Sequence, residues 1–135
     1  MQNIIEQNFQ DEIVEKKCEK CKNGKKAEKS IGICHLPEIL ILSIQENIEE
    51  TYPIKINKEL NLEKYVNHEL ITNNNAKYEL TSIINHQGTY DKGHYYSYIL
   101  IKNEWYSFSD DFVQKMDNFD YTNNNVYILY YQLKK

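Results

Sequence analysis

From Tyr78 onward apolar and polar residues alternate with few interruptions. Four runs, Tyr78 to Asn85, Tyr95 to Ile101, Trp105 to Ser109 and Val126 to Leu133, read as strands separated by Gly-bearing or polar turns. The first half is less regular. Phe9 to Lys17 has the mixed alternation of a strand and leads through Cys18-Glu19-Lys20-Cys21 into the turn dipeptide Asn23-Gly24, after which Lys26 to Ile33 reads as a second strand. Leu36-Pro37-Glu38 then opens the densest apolar run, Ile39 to Ile44, short enough for a buried core strand. Glu46 to Glu50 has the acidity of a loop, Tyr52 to Ile56 alternates as a short strand, Leu60 to Val66 suits one or two helical turns, and Asn73-Asn74-Asn75 breaks the chain. No internal repeat is visible.

The 135 residues suit one domain, or a piece of one. A hydrophobic fraction of 41% with 27% charged residues is ordinary for a globular chain. Tyr (12) outnumbers Phe (4) and Trp (1), while Gly (4) and Pro (2) are scarce, which reinforces the β-rich reading. The net charge of -4 argues against nucleic acid, whose phosphates require a clustered basic surface. The basic run from Lys16 to Lys29 is interleaved with Glu and carries Cys18 and Cys21, so a solvated or metal-clip role fits it better than a phosphate groove. Met1 to Glu15 lacks the apolar core of a signal peptide, and no run approaches the ~18 residues of a membrane span. These features predict a cytoplasmic or nuclear protein with no membrane partner, whose three cysteines are reduced thiols.

Candidate chemistry concentrates between the first two C-terminal strands, in His86-Gln87-Gly88-Thr89-Tyr90-Asp91-Lys92-Gly93-His94-Tyr95, which holds two of the four histidines and two of the four glycines. Gly88 and Gly93 permit a tightly folded loop, which would place His94 at the start of a strand, where a rigid element can hold a catalytic base. The next strand returns as Trp105 to Asp111, so antiparallel pairing brings residues near 109 to 112 alongside His94. A two-residue turn at Lys102-Asn103 would pair Ile101 with Glu104 and put Ser109 on the His94 face. A three-residue turn through Glu104 would put Asp110 there instead. A carboxylate partner would stabilise an imidazolium more than a hydroxyl would.

In order and spacing these elements resemble the ubiquitin-specific proteases, which are papain-like cysteine deubiquitinases. The matching elements are the clip Cys18 with Cys21, Leu36-Pro37-Glu38-Ile39-Leu40, Tyr78-Glu79-Leu80, His86-Gln87-Gly88, Gly93-His94-Tyr95, Trp105-Tyr106-Ser107-Phe108, the pair Asp110-Asp111, and Leu129-Tyr130-Tyr131. The resemblance runs from about Phe9 to Leu133. It implies an α+β, papain-like cysteine proteinase fold of which residues 1–135 form the C-terminal half, mainly antiparallel β, with finger strands over about 9–35 and palm strands over about 36–135. It implies hydrolysis of the bond after the C-terminal Gly of ubiquitin, with His94 as general base, Ser109 and Asp110 together as its orienting partners, and Gly88, Gly93 and Tyr95 bordering the channel for the ubiquitin tail. Ubiquitin or ubiquitinated proteins are the implied partners.

Three departures qualify the resemblance. The family usually has Asp or Asn where Ser109 stands, and a basic pair before an aromatic residue where Gln45-Glu46-Asn47 stands. The nucleophilic cysteine of the family lies in a box well over a hundred residues ahead of the histidine, whereas 93 residues precede His94, so a companion chain or segment would have to carry it. Cys34 lacks the surroundings of an activated thiol and reads as a small buried one. The family holds a structural zinc between two Cys clips, and Cys18 with Cys21 resembles the second; Cys34 and His35 are the remaining local donors. No other cofactor is implied. His68 reads as a surface histidine. Two rival readings remain: a noncatalytic ubiquitin-binding scaffold, and one half of a split enzyme.

Overall fold

The computed structural model describes residues 1–21, 24–44, 53–71, 75–89 and 91–135. Helix α1 (Gln2–Asn8) is followed by β1 (Glu12–Glu15), β2 (Lys26–Lys29), β3 (Ile39–Ser43), β4 (Ile54–Lys55) and β5 (Glu59–Asn61). A single 3-10 turn (Glu63–Tyr65) precedes β6 (Lys77–Thr89), β7 (Lys92–Ile101), β8 (Glu104–Ser109), β9 (Phe112–Met116), β10 (Thr122–Asn123) and β11 (Val126–Leu133). The main sheet runs β3-β11-β6-β7-β8-β9, with β5 pairing the start of β6; its ladders are antiparallel. Strands β1 and β2 form a separate ribbon, and β4 pairs with β10.

Paired residues on neighbouring strands point the same way, so each cross-strand row belongs to one face. Leu42, Leu129, Ile83 and Tyr98 make one such row, and Leu40 with Tyr131 extends that face. It is the inner face, where Leu80, Ile83, Leu129 and Tyr131 pack with Leu60, Leu62, Ala76 and Tyr78 in the core. Tyr131 is fully buried and its hydroxyl donates to the Asn57 carbonyl at 2.7 Å; burial pushes its phenol well above the ordinary tyrosine range. Removing that hydroxyl leaves the carbonyl without this donor. The Tyr131→Phe variant is therefore expected to lose about 1–2 kcal/mol in urea denaturation, and unchanged stability would show that the bond contributes nothing net.

Several sequence expectations change. The strand expected over Phe9 to Lys17 shrinks to β1, because Met1, Ile5 and Phe9 are spaced four apart and pack on the core from α1 and its C-terminal end. The strand over Lys26 to Ile33 stops at Lys29, and Ile33 makes only an isolated parallel bridge to Val66. Ile39 to Ile44 is an edge strand rather than a core strand. Strand β3 pairs only with β11 among the described strands, and alternation turns Leu40 and Leu42 inward while Ile39 and Ile41, on the other face, are 45% and 56% exposed. Of the one or two helical turns expected over Leu60 to Val66, one forms, a 3-10 turn at Glu63–Tyr65, while Leu60 and Asn61 end β5.

The acidic stretch Glu46 to Glu50, the Gln45-Glu46-Asn47 departure, Tyr52, Asn23, and Asn73 with Asn74 lie outside the described residues. The last strand, Val126–Leu133, has the expected bounds. Among the described residues no helix is long and apolar enough to cross a membrane.

Candidate active site

The segment expected as a loop before His94 is a strand arm. Strands β6 and β7 stay paired to their tip, with His86 opposite Tyr95, Gln87 opposite His94, Gly88 opposite Gly93 and Thr89 opposite Lys92. Two glycines face each other there for steric reasons. Gly88 has a φ of 148°, and a Cβ on it would lie inside the van der Waals contact of the Lys92 carbonyl oxygen and Gly93 Cα. At Gly93 a Cβ would collide with the His86 imidazole, which lies over it, and would stand 2.9 Å from the Gln87 carbonyl oxygen. His86, given no role from sequence, thus packs across Gly93 and lies against Tyr95, with ring centroids 4.4 Å apart and the planes tilted by 31°. The signal was its place opposite the glycine-bearing arm.

Strands β7 and β8 join through Lys102 and Asn103, with φ of 50° and 66°, the left-handed pair of a two-residue hairpin turn. Ile101 consequently pairs with Glu104, and parity places Ser109 on the His94 face. The Ser109 Oγ lies 2.6 Å from His94 Nε2. Asp110 sits in the turn between β8 and β9 at a φ of 50°, and its Oδ2 is 4.0 Å from His94 Nδ1, with the carboxylate side chain 83% exposed. Ser109 and Asp110 therefore approach different ring nitrogens. An exposed, salt-screened carboxylate at that distance attracts an imidazolium only modestly.

With Nε2 engaged by Ser109, Nδ1 is the open nitrogen of a ring whose side chain is 47% exposed. If Nε2–H donates to Ser109, Nδ1 carries a lone pair and can take a proton. Behind it, the Tyr96 ring lies nearly parallel to the imidazole, 14° apart at 6.4 Å between centroids. Burial first, and then neighbouring Tyr96, pushes the Tyr98 phenol up. Tyr95 is 54% exposed on the opposite face of β7, near Tyr127.

Cys34 is exposed, not buried, and its thiol lies 3.7 Å from the Gly32 carbonyl oxygen. His68 is exposed, as expected. Cys18 and Cys21 do form a clip. The Cys21 backbone N–H donates to Cys18 Sγ at 3.2 Å, and hydrogen bonds from Cys21, side chain first, draw the Cys18 thiol pKa down. Gly24 closes over both, since a Cβ there would stand 2.7 Å from Cys21 Sγ. Yet among the described residues no three His, Cys, Asp or Glu side chains converge to hold a metal, so Cys34 and His35 do not complete the clip. Two thiolates do not close a tetrahedral zinc site.

The sequence model described as ubiquitin carboxyl-terminal hydrolase matches residues 1–131. The chain belongs to the ubiquitin carboxyl-terminal hydrolase family. Within that family it is similar to ubiquitin carboxyl-terminal hydrolase 9 of Arabidopsis thaliana, at 30% identity over 125 residues covering 85% of this chain and 14% of the relative. It is also similar to probable ubiquitin carboxyl-terminal hydrolase 8 of Schizosaccharomyces pombe, at 25% identity over 134 residues covering 97% of this chain and 30% of the relative. Among solved structures it resembles the SAGA Ubp8/Sgf11/Sus1/Sgf73 DUB module bound to ubiquitin aldehyde, with a TM-score of 0.77 and 23% identity over 98% of this chain and 33% of that one. The fold is thus the family's α+β, papain-like fold, of which this chain provides a mainly antiparallel β portion. It spans at most about a third of each of these matched chains.

Proposed function

We propose that this chain is the base-bearing part of a cysteine-type deubiquitinase, which hydrolyses the bond after the C-terminal Gly of ubiquitin using a thiol carried on another segment. The observation that carries this reading is the 2.6 Å contact between Ser109 Oγ and His94 Nε2. In this reading Nε2–H donates to the Ser109 hydroxyl, which leaves Nδ1 to accept the thiol proton. The thiolate adds to the glycine carbonyl, the imidazolium protonates the leaving amine, and a thioester remains. Water then attacks the thioester as Nδ1 removes its proton, and the thiol leaves on regaining one. Ser109 supplies orientation through a neutral hydrogen bond, and the Asp110 carboxylate offsets part of the imidazolium charge. Tyr95, Gly88 and Gly93 border the path of the ubiquitin tail, whose basic residues suit a chain of net charge -4. The relatives' names and the ubiquitin-bound structure it resembles support this substrate class. Zinc at the Cys18 and Cys21 clip would need two further ligands, which the described residues do not bring to it.

Ubiquitin carrying a C-terminal electrophile tests the reading, applied to this chain alone and mixed with segments bearing the thiol. Covalent labelling is expected only in the mixture and only on the supplied thiol. Labelling of this chain alone at Cys34 would overturn it. Binding without labelling in either condition would establish the rival reading, a noncatalytic ubiquitin-binding module.

A further inference from the structure

We infer that Tyr96, Asn125, Asn123 and Asn85 form a positioning network that holds the His94 end of β7 at hydrogen-bond distance from Ser109. This rests on the reading of His94 as the base and extends it to residues that touch neither thiol nor ubiquitin.

The need for such a device lies in the ladders. The β7–β8 pairing ends at Ser97 opposite Phe108, three residues short of His94, so backbone hydrogen bonds between these two strands do not set the distance from His94 to Ser109. Beyond Ser97, β7 is paired only to β6. The network sits where that support begins. Asn85 pairs with Tyr96 across β6 and β7, and at the same level β6 meets β11 at Val126, next to a register shift. Asn123 Oδ1 accepts from the Asn125 backbone N–H at 2.8 Å, which closes the turn into β11. Asn123 Nδ2 donates to Asn85 Oδ1 at 2.7 Å. The Asn125 carbonyl accepts from the His86 backbone N–H at 2.8 Å, and Asn125 Nδ2 donates to the Tyr96 hydroxyl at 3.2 Å. One turn thereby grips β6 at two consecutive residues and β7 at the side chain next to His94 on the same face.

Asn85 shows that this grip has a stability cost. It is fully buried at a position where Ile83, two residues earlier on the same inner face, is apolar, and its Nδ2 lacks a hydrogen-bond partner. A buried unsatisfied amide is unfavourable, and a β-branched apolar residue would pack there without that penalty. What the amide supplies in return is a directional bond to Asn123, which apolar packing cannot give.

The test reads the tautomer of His94 directly. In 15N-histidine-labelled protein at about pH 8, above the ordinary imidazole pKa, the wild type is expected to hold His94 mainly as the Nε2–H form. Ser109→Ala defines the ratio when the contact is lost. Tyr96→Phe and Asn125→Ala are expected to move His94 toward that ratio while the spectrum of exposed His68 stays unchanged. Both variants keeping the wild-type ratio would overturn the inference. If Asn125→Ala does not fold, Tyr96→Phe, which removes a single oxygen atom, decides alone. In the enzyme completed by its thiol-bearing segment, the same variants are expected to lower kcat by up to about tenfold, no more than Ser109→Ala does, at unchanged KM; a rise in KM at unchanged kcat would count against positioning. Should the completed wild type show no activity while the tautomer responds as described, the reading of His94 as a base fails and the positioning network stands.

Discussion

Exchanging His94 for alanine in the completed enzyme is expected to lower kcat/KM for ubiquitin hydrolysis by about 10³-fold while leaving ubiquitin affinity intact. General acid–base groups contribute roughly 10²- to 10⁴-fold, and the proposed mechanism uses this ring in both half-reactions. Ser109→Ala should cost less, on the order of tenfold, because the ring remains and loses only its preferred tautomer and orientation. Asp110→Asn should cost least, and its effect should shrink as salt rises, since the carboxylate stands 4.0 Å from Nδ1 and is largely solvated. Steady-state kinetics on the three variants tests the ranking. A His94→Ala enzyme within tenfold of wild type would remove His94 from the chemistry. An Asp110→Asn enzyme worse than Ser109→Ala would exchange the roles of the two partners.

Replacing Gly88 with alanine is expected to destabilise the hairpin arm by about 2–4 kcal/mol. Its φ of 148° is a conformation L-residues rarely adopt, and the added methyl would strike the backbone of Lys92 and Gly93, which cannot swing aside as a side chain can. Gly93→Ala should be milder, because the worst obstacle is the His86 imidazole, although that ring would have to leave its place on Tyr95. Thermal melts together with ubiquitin binding distinguish the two. Gly88→Ala should lose both stability and binding, whereas Gly93→Ala should keep most stability and lose binding through the displaced His86 and Tyr95. A Gly88→Ala protein as stable as wild type would show that the arm adapts at negligible cost.

Much of this site was legible in the sequence because hairpin parity is a local property. Given two turn residues, Lys102 and Asn103, period-two alternation puts Ser109 on the His94 face with no knowledge of the rest of the fold. Glycines separated by four residues likewise signalled a tightly built segment, though not that Gly88 and Gly93 would pair directly and turn the expected loop into strand. Features that depend on distant chain were not legible. Whether Ile39 to Ile44 lies central or at an edge depends on which strands flank it, and its composition is the same in either place. The helix over Gln2–Asn8 is too short for periodicity to outweigh the strand-like text that follows. The failure of Cys34 and His35 to meet the clip is a matter of three-dimensional distance. Asn85 did leave a trace, as the one amide closing the run Ile83-Ile84-Asn85 at an inward position, and only the structure shows which side chains answer it.

Strand β11 lies between β3 and β6, although it follows β6 through β9 in the chain. The meander from β6 to β9 needs only short turns to close, so its loop-closure entropy is small and its hairpins can form early in folding. The two ladders of β11 must instead wait for the chain to fold back, across more than eighty residues in the case of Tyr130 with Ile41. Until it docks, β3 and β6 each present an unsatisfied apolar edge. Insertion of β11 is therefore the expected slow step of folding, and a species that lacks it would leave two apolar strand edges open to pairing with another molecule.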